Sequence, residues 1–268
     1  MAGRTKVSHR LSSLSIIPTP TGPRLCNNRP ECAANVIWSR TVPAKSPGFW
    51  CLRKPTAGAR YAEWDHEAVR LETVICPVQA GHQRAGRRLT DLSVILPDAP
   101  LGDVLWTWQG DLLLHARAIE IITELHLTGL YFRAVKARVP SLSGAPVPHL
   151  REACPVGWGG VAPPESGVQL LESCSTCGLK TYSAPVDARR LINRSEWDGA
   201  DFFMVWPLPR FLFLTERAAS ALRGLDRGGG RLVPVESLRF SGTLSPGRLS
   251  YWFPEQQARR IGMPIGIY

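Results

Sequence analysis

Cys174-Ser175-Thr176-Cys177-Gly178 is the sharpest chemical signal in the chain. Two cysteines separated by two residues can turn both thiolates toward one metal ion, and a glycine directly after them permits the positive φ of a zinc knuckle. Tetrahedral zinc takes four ligands, so two further donors must come from elsewhere. Cys26 and Cys32 are the nearest thing to a second pair, although their interval is wider than that of a usual knuckle. Cys154 and Cys76, each followed by proline, are candidates for one donor apiece. The expected cofactor is a structural zinc ion, with Cys174, Cys177, Cys26 and Cys32 as its candidate ligands. The alternative is a knuckle of packed thiols without metal.

The seven cysteines are an odd number in a chain with no apolar signal core, which argues for thiols or a metal site over a disulfide framework. A thioredoxin-type redox role does not fit, because the motif lies between expected strands and opens no helix.

Other chemistry finds little support. The six histidines (His9, His66, His82, His115, His126 and His149) stand at no metalloprotease or catalytic-cysteine spacing, so each reads as an ordinary surface or half-buried residue. There is no phosphate-binding glycine loop and no nucleophile elbow. Asp198 and Asp201 have no acidic or basic group at a characteristic spacing and read as turn residues. No enzyme is expected. Trp206-Pro207-Leu208-Pro209-Arg210 is stiffened by its prolines and presents two residue types that dominate binding hot spots. Trp206 and Arg210 are therefore candidate partner-binding anchors, against the plainer reading of a crossover under a sheet.

The elements that must position these residues are short. In 268 residues, 24 Gly and 23 Pro predict many turns and exclude collagen, coiled-coil and helical-bundle architectures. Strands are expected at 92–96, 103–108 and 130–139, with an amphipathic helix between the last two on Ala118, Ile121, Ile122 and Leu125. Thr128-Gly129 closes that helix. The order recurs at 201–206, 211–214, a helix N-capped by Thr215, and a strand from 231 to 240. Asp103, Leu105 and Trp108 match Asp201, Phe203 and Trp206, and after a two-residue gap Leu114, Arg117 and Ala118 match Leu214, Arg217 and Ala218. The expected fold is α+β: antiparallel sheets with two amphipathic helices in a duplicated strand–helix–strand unit, plus a zinc-knuckle-like hairpin at 174–178. Its domain is expected at 89–268, with halves at 89–139 and 180–240. Residues 1–88 read as a basic, poorly ordered segment with at most a short helix near 61–71.

Charge divides the chain the same way. Residues 1–90 carry 14 Lys/Arg against 5 Asp/Glu, and residues 91–268 carry 18 against 17. A nearly neutral main body argues against nucleic acid as partner, and no apolar run is long enough to span a bilayer. The expected location is the cytoplasm.

From Leu170 onward the Cys-x-x-Cys-Gly knuckle is followed by a short strand, Asp201-Phe202-Phe203, Thr215-Glu216-Arg217, a helix and Val233-Pro234-Val235. This order resembles the double-CxxCG motif family of myxobacteria, some members of which are immunity proteins against contact-delivered toxins. The likeness covers roughly residues 90–240. The family's second motif matches at Cys174, Cys177 and Gly178, while the first is not matched. The resemblance implies a bacterial, non-catalytic immunity protein whose partner is a cognate protein toxin. The alternative is a zinc-ribbon-type nucleic-acid-binding protein using the basic N-terminal segment.

Overall fold

The computed structural model describes residues 48–55, 61–141, 149–228 and 230–268, all within the compact unit Lys45–Tyr268. Cys26 and Cys32 lie outside the described residues. In chain order β1 (Phe49–Arg53), β2 (Glu63–Trp64), β3 (Leu71–Val74), β4 (Arg84–Arg88) and β5 (Leu92–Ile95) lead to β6 (Val104–Trp106) and β7 (Leu112–His115). Helix α1 (Ala116–Glu124) and the long strand β8 (Leu130–Arg138) follow. Then come β9 (Leu150–Pro155), β10 (Gly157–Val161), β11 (Leu170–Ser173) and β12 (Lys180–Ser183). The chain ends with β13 (Phe202–Trp206), β14 (Leu212–Thr215), α2 (Glu216–Leu222), β15 (Arg231–Pro234), β16 (Thr243–Leu244) and α3 (Glu255–Gly262). The architecture is mixed α+β, mostly sheet.

Two sheets carry the body. One runs β10-β13-β14-β1-β15 and the other β2-β5-β8-β9-β7-β6. They are not purely antiparallel as expected, since β10 pairs with β13 and β5 with β8 in parallel. Between the sheets lies a core that includes Leu52, Val104, Leu114 and Leu214, with Ala118 and Ile122 of α1 and Ala218 and Leu222 of α2. Strand β13 shows why the five-stranded sheet is buried on both faces: Phe202 enters this core, while Phe203 and Val205 pack with Phe49 and Phe213 on the other side.

The boundary expected at residue 88 falls elsewhere. β1 is an internal strand, with Trp50 to Leu52 paired to β14 on one side and to β15 on the other. Residues 61–71 are not a helix: Glu63–Trp64 extends against β5, and a turn follows. Asp65 fixes that turn by accepting the Ala68 and Val69 amides on its carbonyl. The first amphipathic segment also starts later than its periodicity suggests, because Leu112–His115 is a strand before α1 begins.

The two strand–strand–helix runs make matching bonds around Asp103 and Asp201. The His115 amide donates to the Asp103 carbonyl and the Thr215 amide to the Asp201 carbonyl, at 2.9 and 3.0 Å. The Asp103 carboxylate accepts from the Asp226 amide beyond α2, and Asp201 accepts from the Thr128 amide beyond α1. Each aspartate thus closes the end of the other run's helix. Arg117 reaches Asp103 at 3.5 Å, and Arg217 reaches Asp201 through Nε at 3.1 Å. Gly129, at φ +93°, leaves room that a Cβ would take from the Phe202 carbonyl.

Candidate metal centre

Two hairpin loops face each other beside the main sheets. Antiparallel β3 and β4 are joined by residues 75–83, and antiparallel β11 and β12 by residues 174–179. The first loop carries Cys76 and His82, the second Cys174 and Cys177. Their four donor atoms all lie within 4.8 Å of one another, so the group could hold a metal ion.

The spacing can be tested against a tetrahedron. Zinc bonds of about 2.3 Å to sulfur and about 2.0 Å to nitrogen imply ligand–ligand edges of about 3.8 Å and about 3.5 Å. The Cys76 and Cys174 sulfurs stand 3.9 Å apart, and the Cys177 sulfur stands 3.7 Å from His82 Nδ1. These edges fit. The donor set of three sulfurs and one imidazole suits zinc better than a hard, oxygen-seeking cation.

Surrounding groups aim the ligands. His82 Nε2 lies 2.9 Å from Glu172 Oε1, so the imidazole can donate there and leave Nδ1 facing the sulfurs. Backbone amides of Val78 and Gln79 donate to the Cys76 sulfur, and those of Thr176 and Cys177 to the Cys174 sulfur. Both loops therefore turn the amides two and three residues on toward the leading thiol. Gln79 occupies the position that Cys177 holds in the other loop, and His82 supplies the fourth donor instead. Gly178 sits at φ +70°, as the motif predicts.

Arg84 ties the hairpins together from β4. Its Nη1 donates to the His82 carbonyl at 3.0 Å and the Cys177 sulfur at 3.4 Å, and its Nη2 to the Cys177 carbonyl at 2.9 Å. That guanidinium, opposed by burial and joined by the Leu179 amide, brings the Cys177 thiol down to about 6. The Cys177 amide and His82 draw the Cys174 thiol below its ordinary value, and Cys174 in turn raises His82. Burial raises Cys76.

The other described cysteines are elsewhere. Burial pushes Cys51 and Cys154 each up to about 12, and neither belongs to the cluster. Cys76, weighed as a single donor, is in it. His82 is not the ordinary residue its spacing suggests: Glu172, Cys174 and Cys177 lie ninety or more positions away, and the local signal is its distance of six positions from Cys76.

The paired anchors separate. Trp206 is 1 % exposed, with its indole N–H donating to the Tyr182 hydroxyl, so it belongs to the core under α3 and presents no surface. Arg210 is exposed and lies over the Trp252 ring. Asp198 and Asp201 do structural work: Asp198 accepts the Trp158 and Ala200 amides. Burial alone would raise the Asp201 carboxyl, but Arg217, Thr128 and Thr215 outweigh it and hold it below the usual carboxylate range.

No known family model matches the chain, and no curated protein matches it. Among the described residues, no helix is long and apolar enough to cross a membrane.

Proposed function

We propose that Cys76, His82, Cys174 and Cys177 hold one structural zinc ion in a non-catalytic, cytoplasmic immunity protein that binds and neutralises a cognate toxin. The closed donor set carries this reading. Four ligands leave tetrahedral zinc no open position for water or substrate, so the ion staples two hairpins and catalyses nothing. Bound zinc supplies folding free energy where the hairpins bury little of their own. Glu172 fixes the imidazole, and Arg84 offsets the charge that three thiolates would concentrate there.

The resemblance to the double-CxxCG family supports the toxin-binding part. The loop Cys76 to Gln79 has the amide-to-sulfur pattern of Cys174 to Cys177, a second knuckle-like turn beside the one that resembles the family's motif. The matching bonds at Asp103 and Asp201 support reading the two strand–strand–helix runs as copies of one unit. Capture of a protein requires roughly 800 Å² of surface per partner. Arg210, exposed beside Trp252, is the anchor that remains available.

Metal analysis of the purified chain tests the staple: one zinc per chain is expected, and none in Cys174→Ser/Cys177→Ser. Equal, negligible zinc in both proteins sinks it. Co-expression with the product of the adjacent upstream gene tests capture. Protection should saturate near one to one and weaken in Arg210→Ala without loss of fold, whereas protection far below stoichiometry means turnover. The excess of basic residues before position 91 favours nucleic acid as a second reading, which requires binding that weakens steeply with salt.

A further inference from the structure

Arg84 Nε, Gln109 Oε1 and the Tyr251 hydroxyl are buried and lack a hydrogen-bond partner among the described residues, and all three side chains line one cleft of about 880 Å³. Trp106, whose unpaired indole nitrogen lies near Gly230, lines the cleft as well. Buried polar atoms are satisfied almost everywhere in folded proteins, so a gathering of orphans around one cleft marks a surface shaped to meet polar atoms from outside the chain. The volume lies within the roughly 300–1,000 Å³ of small-molecule sites.

Charge selects the kind of ligand. Arg88 is neutralised by Asp111 and Glu152, and Glu255 is taken up by Arg259. The Arg87 side chain makes no hydrogen bond or ion pair among the described residues, and Arg210 bonds only to the Gln109 carbonyl. The residues that line the cleft therefore carry cations to spare and no unpaired carboxylate. It also has two distinct ends. Tyr251 lies within the fields of Glu72, Arg248, Arg84 and Arg87 at one end, three cations against one carboxylate, while Gln109, Arg210 and the Trp252 ring cluster at the other.

We propose that this cleft binds a small organic anion, a phosphate or carboxylate carried on a planar aromatic body. Arg87, Arg84 Nε and the Tyr251 hydroxyl receive the anionic group. Trp252 receives the ring, and Gln109 Oε1 accepts an N–H from it. The cleft shares Arg84 with the metal cluster and Arg210 with the surface proposed for toxin capture, but Arg87, Tyr251 and Gln109 belong to neither.

Equilibrium dialysis of the full chain against adenosine monophosphate, indole-3-acetate, adenosine and inorganic phosphate tests the proposal. One of the two aromatic anions should bind with a Kd below about 1 mM, and which one does so separates phosphate from carboxylate recognition. Adenosine and inorganic phosphate should each bind at least about tenfold more weakly than the preferred anion, because each lacks one half of the recognised chemistry. Arg87→Ala should weaken binding by about tenfold. Tyr251→Phe should weaken it severalfold while leaving the unfolding midpoint at or above that of the parent, since only an unpaired hydroxyl is lost. No saturable binding of either aromatic anion overturns the proposal. So does inorganic phosphate binding as well as the aromatic anions, which means an adventitious ion only. Unchanged binding in both variants overturns it as well, by placing the ligand elsewhere.

Discussion

Phe203, Val205 and Phe213 have no exposed area in the five-stranded sheet, whereas every residue of β11 is exposed and every residue of β12 only partly buried. Burying a large apolar side chain stabilises a fold by about 1.5–3 kcal/mol, and the main sheets do this many times over. The corner where the two hairpin loops meet buries only Cys76, Cys177 and Leu179. A corner with so little core needs a different cement, and its polar ligand set is suited to provide one. The same chain thus uses area where it can enclose area and, on the proposed reading, coordination where it cannot.

Breaking the body should have the largest effect. Leu52 is 2 % exposed at the middle of β1, between two neighbouring strands, and Leu52→Asp buries a charge without a partner there. The expected cost exceeds about 4 kcal/mol and abolishes cooperative unfolding in a denaturant titration. A chain beginning at Leu89 lacks β1 to β4 and should aggregate for the same reason.

Breaking the corner should cost less and stay local. In hydrogen exchange, a strong chelator should release protection in β3, β4, β11 and β12 while β13 and β14 keep theirs. Loss of protection throughout the molecule would show that the two regions are not separately held.

Within the body, Asp201→Ala should destabilise by about 2–4 kcal/mol and Asp103→Ala by about 1 kcal/mol, read from denaturation midpoints. Asp201 is the more deeply buried and has Arg217, Thr215 and Thr128 as donors, whereas Arg117 reaches Asp103 at 3.5 Å from an exposed position. The Asp201 carboxyl sits below its ordinary 3.8 in the folded state, so its contribution is complete above that value and is lost as pH falls through the folded-state value. Asp201→Asn should flatten that acid limb of the stability profile.

The smallest change concerns the corner's outer ring. Glu172→Gln keeps the shape but removes the carboxylate from His82, and zinc affinity measured by competition should fall by about 10–100-fold with the fold intact.

Residues with local patterning were legible in the sequence. Thr215 caps α2 by accepting the Ala218 amide, and the strands at Leu92, Val104, Leu130 and Phe202 begin within a residue or so of where alternation placed them. β1 was not legible, because five apolar and basic residues follow a stretch rich in proline and glycine, and their partners lie more than 150 positions away. The candidate metal centre divides along the same line. Cys174 and Cys177 announce themselves by spacing, whereas His82 acquires its meaning only when topology brings Glu172 and Cys177 to its two nitrogens.

The crossed aspartates have a consequence for any attempt to divide this protein. Asp103 satisfies an amide that follows α2, and Asp201 satisfies one that follows α1, so each run carries a clasp fitted to the other. Expressed alone, either fragment leaves a helix-end amide without its acceptor and an aspartate without its donor. Two such fragments mixed together have a reason to reassociate. A single fragment could find the missing half only in a second copy of itself, exchanging clasps across a two-fold axis.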